Sequence, residues 1–317
     1  MKFGIGLFWG GMEPEDLAEV ARRADEMGYD TVFIWEHLVY PKVIRSRYPY
    51  SPTGTAPFAD DRTLDPWVVM GHIAAVTSRI RLGTNVYILP LRNPFVTARA
   101  VLTVDILSKG RAIMGVAVGW LKEEFDIVGE DFHNRGQRTD ELVQVLKALW
   151  TQKEPEFHGR FYDFGPVRFD PKPVQKPHPP IHFGGETEPA MRRAARLGDG
   201  WISPGAIETV ETARQKVEKL RAYRREAGRE ADPFETTMLA GPVPDLDTVR
   251  RLEEVGVTRL LVGPWYSPEL MAEAARVGTA SAMAHALEQE RQRREALLQR
   301  ISEGLERYAE QVLSKLT

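Results

Sequence analysis

Cysteine is absent from the 317 residues. Its absence removes disulfides, thiol nucleophiles and sulfur metal ligands together, and it suits a reducing cytosol. No run of about 18 apolar residues occurs, and Lys2 is followed at once by a strand pattern rather than by the long apolar core of a secretory signal. An excess of one charge is missing too. The 42 basic and 45 acidic side chains leave a net charge of -3, which steers the chain toward neither nucleic acid nor anionic lipid. Catalytic signatures are also lacking: no G-x-S-x-G elbow occurs, and "GVAVG" at 115–119 does not complete G-x-G-x-x-G. His178 and His182 are separated by Pro-Pro-Ile and share no helical face, so a metal site has little support. A soluble cytoplasmic protein, with no membrane or nucleic-acid partner and no metal, is the expectation.

What is present is a globular composition, 43% apolar and 27% charged, and a repeat. "FGIGLFWGG" is a short apolar run closed by glycines; "EPEDLAEVARRADEMG" then places Leu17, Val20, Ala21 and Ala24 at helical spacing, with Pro14 and acids in the first turn. Apolar runs at "TVFIW", "IRLGTNVYIL", "RAIMGVAVG", "IHFGG", "GWIS", "TTMLAG" and "RLLVGP" are each followed by a helical pattern. Such units with near-continuous apolar strands imply a parallel sheet buried on both faces, and their number predicts closure into a (β/α)8 TIM barrel, one domain over 1–317. A doubly wound open sheet is the alternative. Three segments stand outside the repeat. Leu38–Thr63 is a long Pro- and Gly-punctuated connection of the kind that forms a lid or wall. Glu154–Pro180 reads as a β-hairpin followed by a stiff Pro-rich run. The extension 280–317 is a charged amphipathic helix that either covers the barrel bottom or joins a dimer contact.

In a closed α/β barrel the site lies at the C-terminal ends of the strands. These ends hold Trp9 and Gly10, Glu36 and His37, Asn85, Gly119 and Trp120, then Gly184, Gly185, Glu186 and Thr187, and later Ser203, Gly241, Gly263 and Pro264. His37 stands ahead of the longest loop, where an imidazole is suited to donate or accept a proton. Glu36, its neighbour, would point to the opposite face unless the strand has ended. His182 lies inside the fifth strand, and a hydrogen-bonded core role suits it better than a catalytic one. The turn from Gly184 and Gly185 into a helix presents unshielded N–H groups, which suits a phosphate. Glu186 is the objection, unless its side chain turns away or caps the helix.

Together, "VFIWEH", "RIRLGTNVYILPLRNP", "GRAIMGVAVGWLKEEF", "RFYDFGPVRFDPKPVQKPHPPIHFGG" and "AARLGDGW" resemble the luciferase-like monooxygenase superfamily, in particular its branch of oxidoreductases dependent on the deazaflavin coenzyme F420. The resemblance runs from Phe3 to about Trp201. It implies a barrel holding a flavin-type tricycle in its mouth, with a non-prolyl cis peptide at Asn85-Val86 forming a bulge behind the ring. It also implies that His37, with Glu36, lies near ring and substrate, that Val118, Gly119 and Trp120 end the fourth strand, and that Gly184, Gly185, Glu186 and Thr187 form the phosphate side. Some sugar-phosphate dehydrogenases of the family carry an acid where Trp120 stands, and several members have Asp in place of Glu36. The activity implied is hydride transfer between F420 and a small organic substrate under the Leu38–Thr63 loop, with His37 as proton donor. Trp9, Trp120, Tyr48 and Tyr50 would wall the pocket, although each tyrosine equally suits plain loop packing. FMN-dependent monooxygenation is the alternative enzyme, and a non-catalytic flavin-binding barrel, opposed by His37 and the long loop, is the second alternative. Arg192, Arg193 and Arg196 either attract the polyglutamyl tail of F420 or form a solvated helix face. A homodimer is expected.

Overall fold

In the computed structural model, residues 1–7, 13–50, 54, 63–207, 209–240, 244–263 and 294–316 are described. Trp9, Gly10, Gly241, Pro264, the helix expected within 267–278 and the first part of the C-terminal extension lie outside them. The chain runs β1 (Lys2–Leu7), α1 (Pro14–Glu26), β2 (Thr31–Ile34), α2 (Pro66–Val76), β3 (Arg81–Thr84), β4 (Tyr87–Ile88), α3 (Pro94–Leu107), β5 (Ala112–Ala117), α4 (Lys122–Val128) and α5 (Arg135–Thr151). A hairpin of β6 (Phe157–His158) and β7 (Asp163–Phe164) follows, then β8 (Ile181–Gly184), α6 (Glu188–Leu197), β9 (Gly200–Ile207), α7 (Val210–Glu226), β10 (Glu235–Ala240), α8 (Leu246–Val255), β11 (Arg259–Val262) and a last helix, α9 (Arg294–Gln311).

The large sheet runs β3-β2-β1-β11-β10-β9-β8-β5-β4, and a further β3–β5 pairing closes it. Every pairing within it is parallel. β3 and β4 are two halves of one barrel strand, broken at Asn85-Val86, so the architecture is a closed eight-stranded (β/α)8 barrel and not an open sheet. The break follows from pairing: β3 bonds to β2 with Ile34 opposite Thr84, whereas β4 bonds only to β5. β2, β8 and β11 are buried at every position, as strands coated by helices outside and filled by side chains inside must be.

Inside the barrel, Phe33, Ile113, Ile202 and Leu261 form an apolar layer with Val86 and Leu239 packed on it. Beneath lies a polar layer. Arg259, fully buried, bonds through Nε to Asp30 at 2.9 Å and through Nη1 to Glu235 at 2.8 Å, with His182 Nε2 3.5 Å from Glu235. A side chain at Gly115 is excluded, because its Cβ would stand 1.8 Å from the Thr84 carbonyl oxygen. Helix starts follow local chemistry: Asn93 accepts from Phe95 N and Val96 N at 2.9 and 3.2 Å with Pro94 at the first helical position, and Asp65 caps α2 likewise. The expected hairpin is present, with Phe157 opposite Phe164. α9 packs on α1 within the chain, burying Leu297, Ile301, Leu305, Tyr308 and Val312, and Tyr29 donates to the Leu305 carbonyl at 3.1 Å. The described part of the extension thus covers its own chain.

Candidate active site

At the mouth the third strand carries a cis peptide between Asn85 and Val86. Asn85 N donates to Ile34 O at 2.8 Å, which ties the break to the end of β2, and both residues remain half-buried. Val86 leans on Gly184, where a Cβ would meet Val86 Cγ1 at 2.8 Å. Gly185, at φ +119°, turns the chain into α6, and its carbonyl accepts from Trp201 Nε1 at 2.7 Å. Only glycine passes through this backbone region without strain. The floor of the mouth is therefore a ledge of backbone and small side chains, with Val86 seated on Gly184 and Ala190 beside Gly185.

Glu36 and His37 diverge. Glu36 is buried and accepts from Ile88 N at 2.7 Å and from the Arg92 guanidinium, whose carbon lies 4.7 Å from the Tyr87 ring centre. Burial pushes the Glu36 carboxyl up, against the pull of Arg92 and of the Ile88 N–H. Both its oxygens thus brace β4 and the turn into α3. His37 goes the other way: its Nδ1 lies 2.8 Å from Glu124 Oε2 on the first turn of α4. Glu124 is completely buried, and its other oxygen accepts from Leu38 N and Val39 N at 2.6 and 3.2 Å. The adjacent Glu123 holds the same loop further on, accepting from Arg45 N at 2.7 Å, Ser46 N at 3.0 Å and Ser46 Oγ at 2.6 Å. Two neighbouring carboxylates thereby hang the loop on one helical turn. Sequence reading had not picked out either of them, since "LKEEF" looks like an ordinary acidic helix start.

Tyr48, Tyr50 and Trp120 do come together. Trp120 meets Tyr48 edge-on at 5.1 Å, Tyr48 meets Tyr50 at 5.5 Å, and the His37 ring lies 6.0 Å from Trp120 and 4.5 Å from Tyr40. Burial pushes the Tyr50 hydroxyl up to about 12, with a hydrogen bond to the Glu186 backbone pulling the other way. The Tyr50 hydroxyl thus lies beside the turn after β8. Gly119, at φ +82°, keeps Trp120 clear of the strand, and its carbonyl accepts from Arg135 Nε at 3.1 Å. Val118 is half-buried beside it.

On the β8 side, Glu186 pairs with Lys216 Nζ at 2.6 Å and accepts from the Ser203 hydroxyl. Its charge is therefore balanced, which removes the objection to an anion at the Gly184-Gly185 turn. Thr187 stands at the N-cap of α6 without a side-chain cap bond. The three arginines of α6 are spoken for: Arg192 by Glu188 at 2.8 Å and by Glu226, Arg193 by Asp140, and Arg196 by Asp140 at 2.5 Å. They form a paired helix face.

Comparison with known proteins gives the family. The family model for luciferase-like monooxygenases matches residues 1–312. The chain belongs to the luciferase-like monooxygenase family. Family relatives include an uncharacterised protein of Mycobacterium tuberculosis, 37% identical over 269 residues, with 83% of this chain and 92% of that protein covered. They also include an FMNH2-dependent dimethylsulfone monooxygenase of Pseudomonas putida, 32% identical over 171 residues, covering 53% of this chain and 46% of that one. Among solved structures, the coenzyme F420-dependent tetrahydromethanopterin reductase of Methanopyrus kandleri aligns over 100% of this chain and 99% of its own, with a TM-score of 0.65 at 17% identity. That likeness shows the luciferase-like fold. The family's members are oxidoreductases and monooxygenases, with F420-dependent and FMN-dependent proteins both among the similar ones.

Proposed function

We propose that the protein is an oxidoreductase that transfers a hydride between coenzyme F420 and a small organic substrate lodged under the 38–63 loop. The carrying observation is that the break in the third barrel strand and His37 share one rim: Asn85 directly follows β3, His37 lies three residues beyond β2, and these strands are neighbours. A ring would lie against Val86, which glycine at 184 lets seat on β8, and the pairing of Glu186 with Lys216 removes the repulsion that a phosphate at this turn would meet. Asn85, Val86, Val118 and Gly119 would hold the ring, and Gly184, Gly185, Glu186 and Thr187 the phosphate side. When bound, F420 supplies the hydride and the protein supplies position. His37 gives or takes the proton through Nε2, the nitrogen left over by its bond to Glu124. Trp120, Tyr48 and Tyr50 exclude water above it. FMN-dependent monooxygenation is the second reading, favoured by the likeness to the Pseudomonas putida enzyme.

Fluorescence titration of the purified protein with F420 and with FMN tests the choice. Tight FMN binding with no F420 binding would overturn the first reading. His37→Ala is expected to leave coenzyme affinity and folding intact and to lower turnover by about 10²-fold or more; an unchanged rate would remove His37 from the chemistry.

A further inference from the structure

The buried carboxylate of Glu124 has more work than closing a loop. Its Oε1 takes the N–H groups of Leu38 and Val39, and its Oε2 faces His37 Nδ1 at 2.8 Å. Those two amides are donors only, so Oε1 is committed to them. Oε2 is then the acceptor left for the ring, and a carboxylate offers no proton to Nδ1. The neutral imidazole must carry its proton on Nδ1 and leave Nε2 bare. The ring is further fixed by Tyr40 at 4.5 Å and Trp120 at 6.0 Å, and the His37 side chain is 8% exposed, so it does not turn over freely.

We propose that Glu124 is a positioning residue that sets the tautomer of His37, presenting Nε2 to the substrate, while its other oxygen holds the Leu38 and Val39 amides. The role of Nε2 in turnover rests on the oxidoreductase reading proposed above; the tautomer does not.

The test uses the full chain with ¹⁵N-labelled histidine, at a pH where the His37 ring is neutral, and assigns its signals by their loss in His37→Gln. The wild-type protein is expected to show the Nδ1–H tautomer. In Glu124→Gln the side-chain oxygen stays with the loop amides and its NH2 faces the ring, so the signal should move to the Nε2–H tautomer. Turnover with the accepted coenzyme should then fall at least about tenfold with the coenzyme dissociation constant unchanged. An Nε2–H ring in the wild-type protein, or the same tautomer in both proteins, overturns the proposal. Should the variant fail to fold, the wild-type tautomer alone still decides. A protein that binds neither coenzyme but shows the Nδ1–H ring and its switch would sink the oxidoreductase reading and leave the positioning role standing.

Discussion

Two histidines show how differently one side chain behaves at the two ends of the barrel. His37 at the mouth has a dedicated carboxylate; His182 at the bottom faces Glu235 at 3.5 Å, with Arg259, Arg81 and Lys2 around it. Burial is the largest influence on His182 and carries it down to about 3, and the three cations push the same way against Glu235. The ring is therefore neutral in the folded protein and takes up a proton on unfolding at mildly acid pH. Because the unfolded chain binds more protons, stability falls as the pH drops from about 6.5 toward 3, by at most about 1.4 kcal/mol per pH unit from this group. Urea midpoints between pH 6.5 and 5 should fall in the wild-type protein and flatten in His182→Asn. An equally steep decline in the variant would place the acid sensitivity elsewhere. The core place expected of His182 is observed and has this measurable consequence, but the hydrogen bonds expected with it are not, since neither ring nitrogen has a hydrogen-bond partner.

At the level of elements, much was legible because each unit is locally consistent. Asn93-Pro94 announces a helix start, and the near-continuous apolar runs in "TVFI" and "RLLV" announce strands covered on both faces. The cis peptide at Asn85-Val86 came from family resemblance, since no periodicity reveals it. What stayed hidden was long-range. Glu124 lies 87 residues from His37, and nothing in an acidic helix start says which distant loop it will cap. The arginines of α6 deceive for the same reason, as Asp140, which binds two of them, belongs to α5. The loop latch is the element most open to test. Burial alone would raise the Glu123 carboxyl, but the Ser46 hydroxyl, its own N–H and the Arg45 and Ser46 amides outweigh it and hold the group down at about 2. A depressed carboxylate acts fully above its ordinary range near 4.5 and is lost as pH falls through its folded value, so the latch is ionised throughout neutral pH. Glu123→Ala removes hydrogen bonds worth about 1–2 kcal/mol together, enough to raise the open population roughly 5- to 30-fold. Trypsin at pH 8 should then cleave after Arg45 or Arg47 faster by that factor. Unchanged cleavage would show that Glu123 does not hold the loop shut.

For the whole molecule, the barrel's outer helices are amphipathic except where α2 meets α3. α2 carries Val68 at 74% and Val76 at 39% exposure, and α3 carries Val96 at 68% and Leu107 at 57%. The two helices pack side by side, so these residues line adjacent stripes, with Ala75 and Thr103 also exposed between them. A helix that is apolar on its outer as well as its inner face is one built to be covered. α9, the other candidate for a contact between copies, already spends Leu297, Ile301 and Leu305 on its own subunit. For the expected homodimer we predict this face as the contact, where two neighbouring helices with few charged side chains would meet their own copies about a two-fold axis. Light scattering after size exclusion should give twice the 35.8 kDa chain mass for the wild-type protein. The pair Val68→Glu and Leu107→Glu should give the single mass with the circular dichroism spectrum retained, because both side chains point to water in the isolated chain. A wild-type monomer, or a dimer indifferent to both charges, would remove the α2–α3 face as the contact.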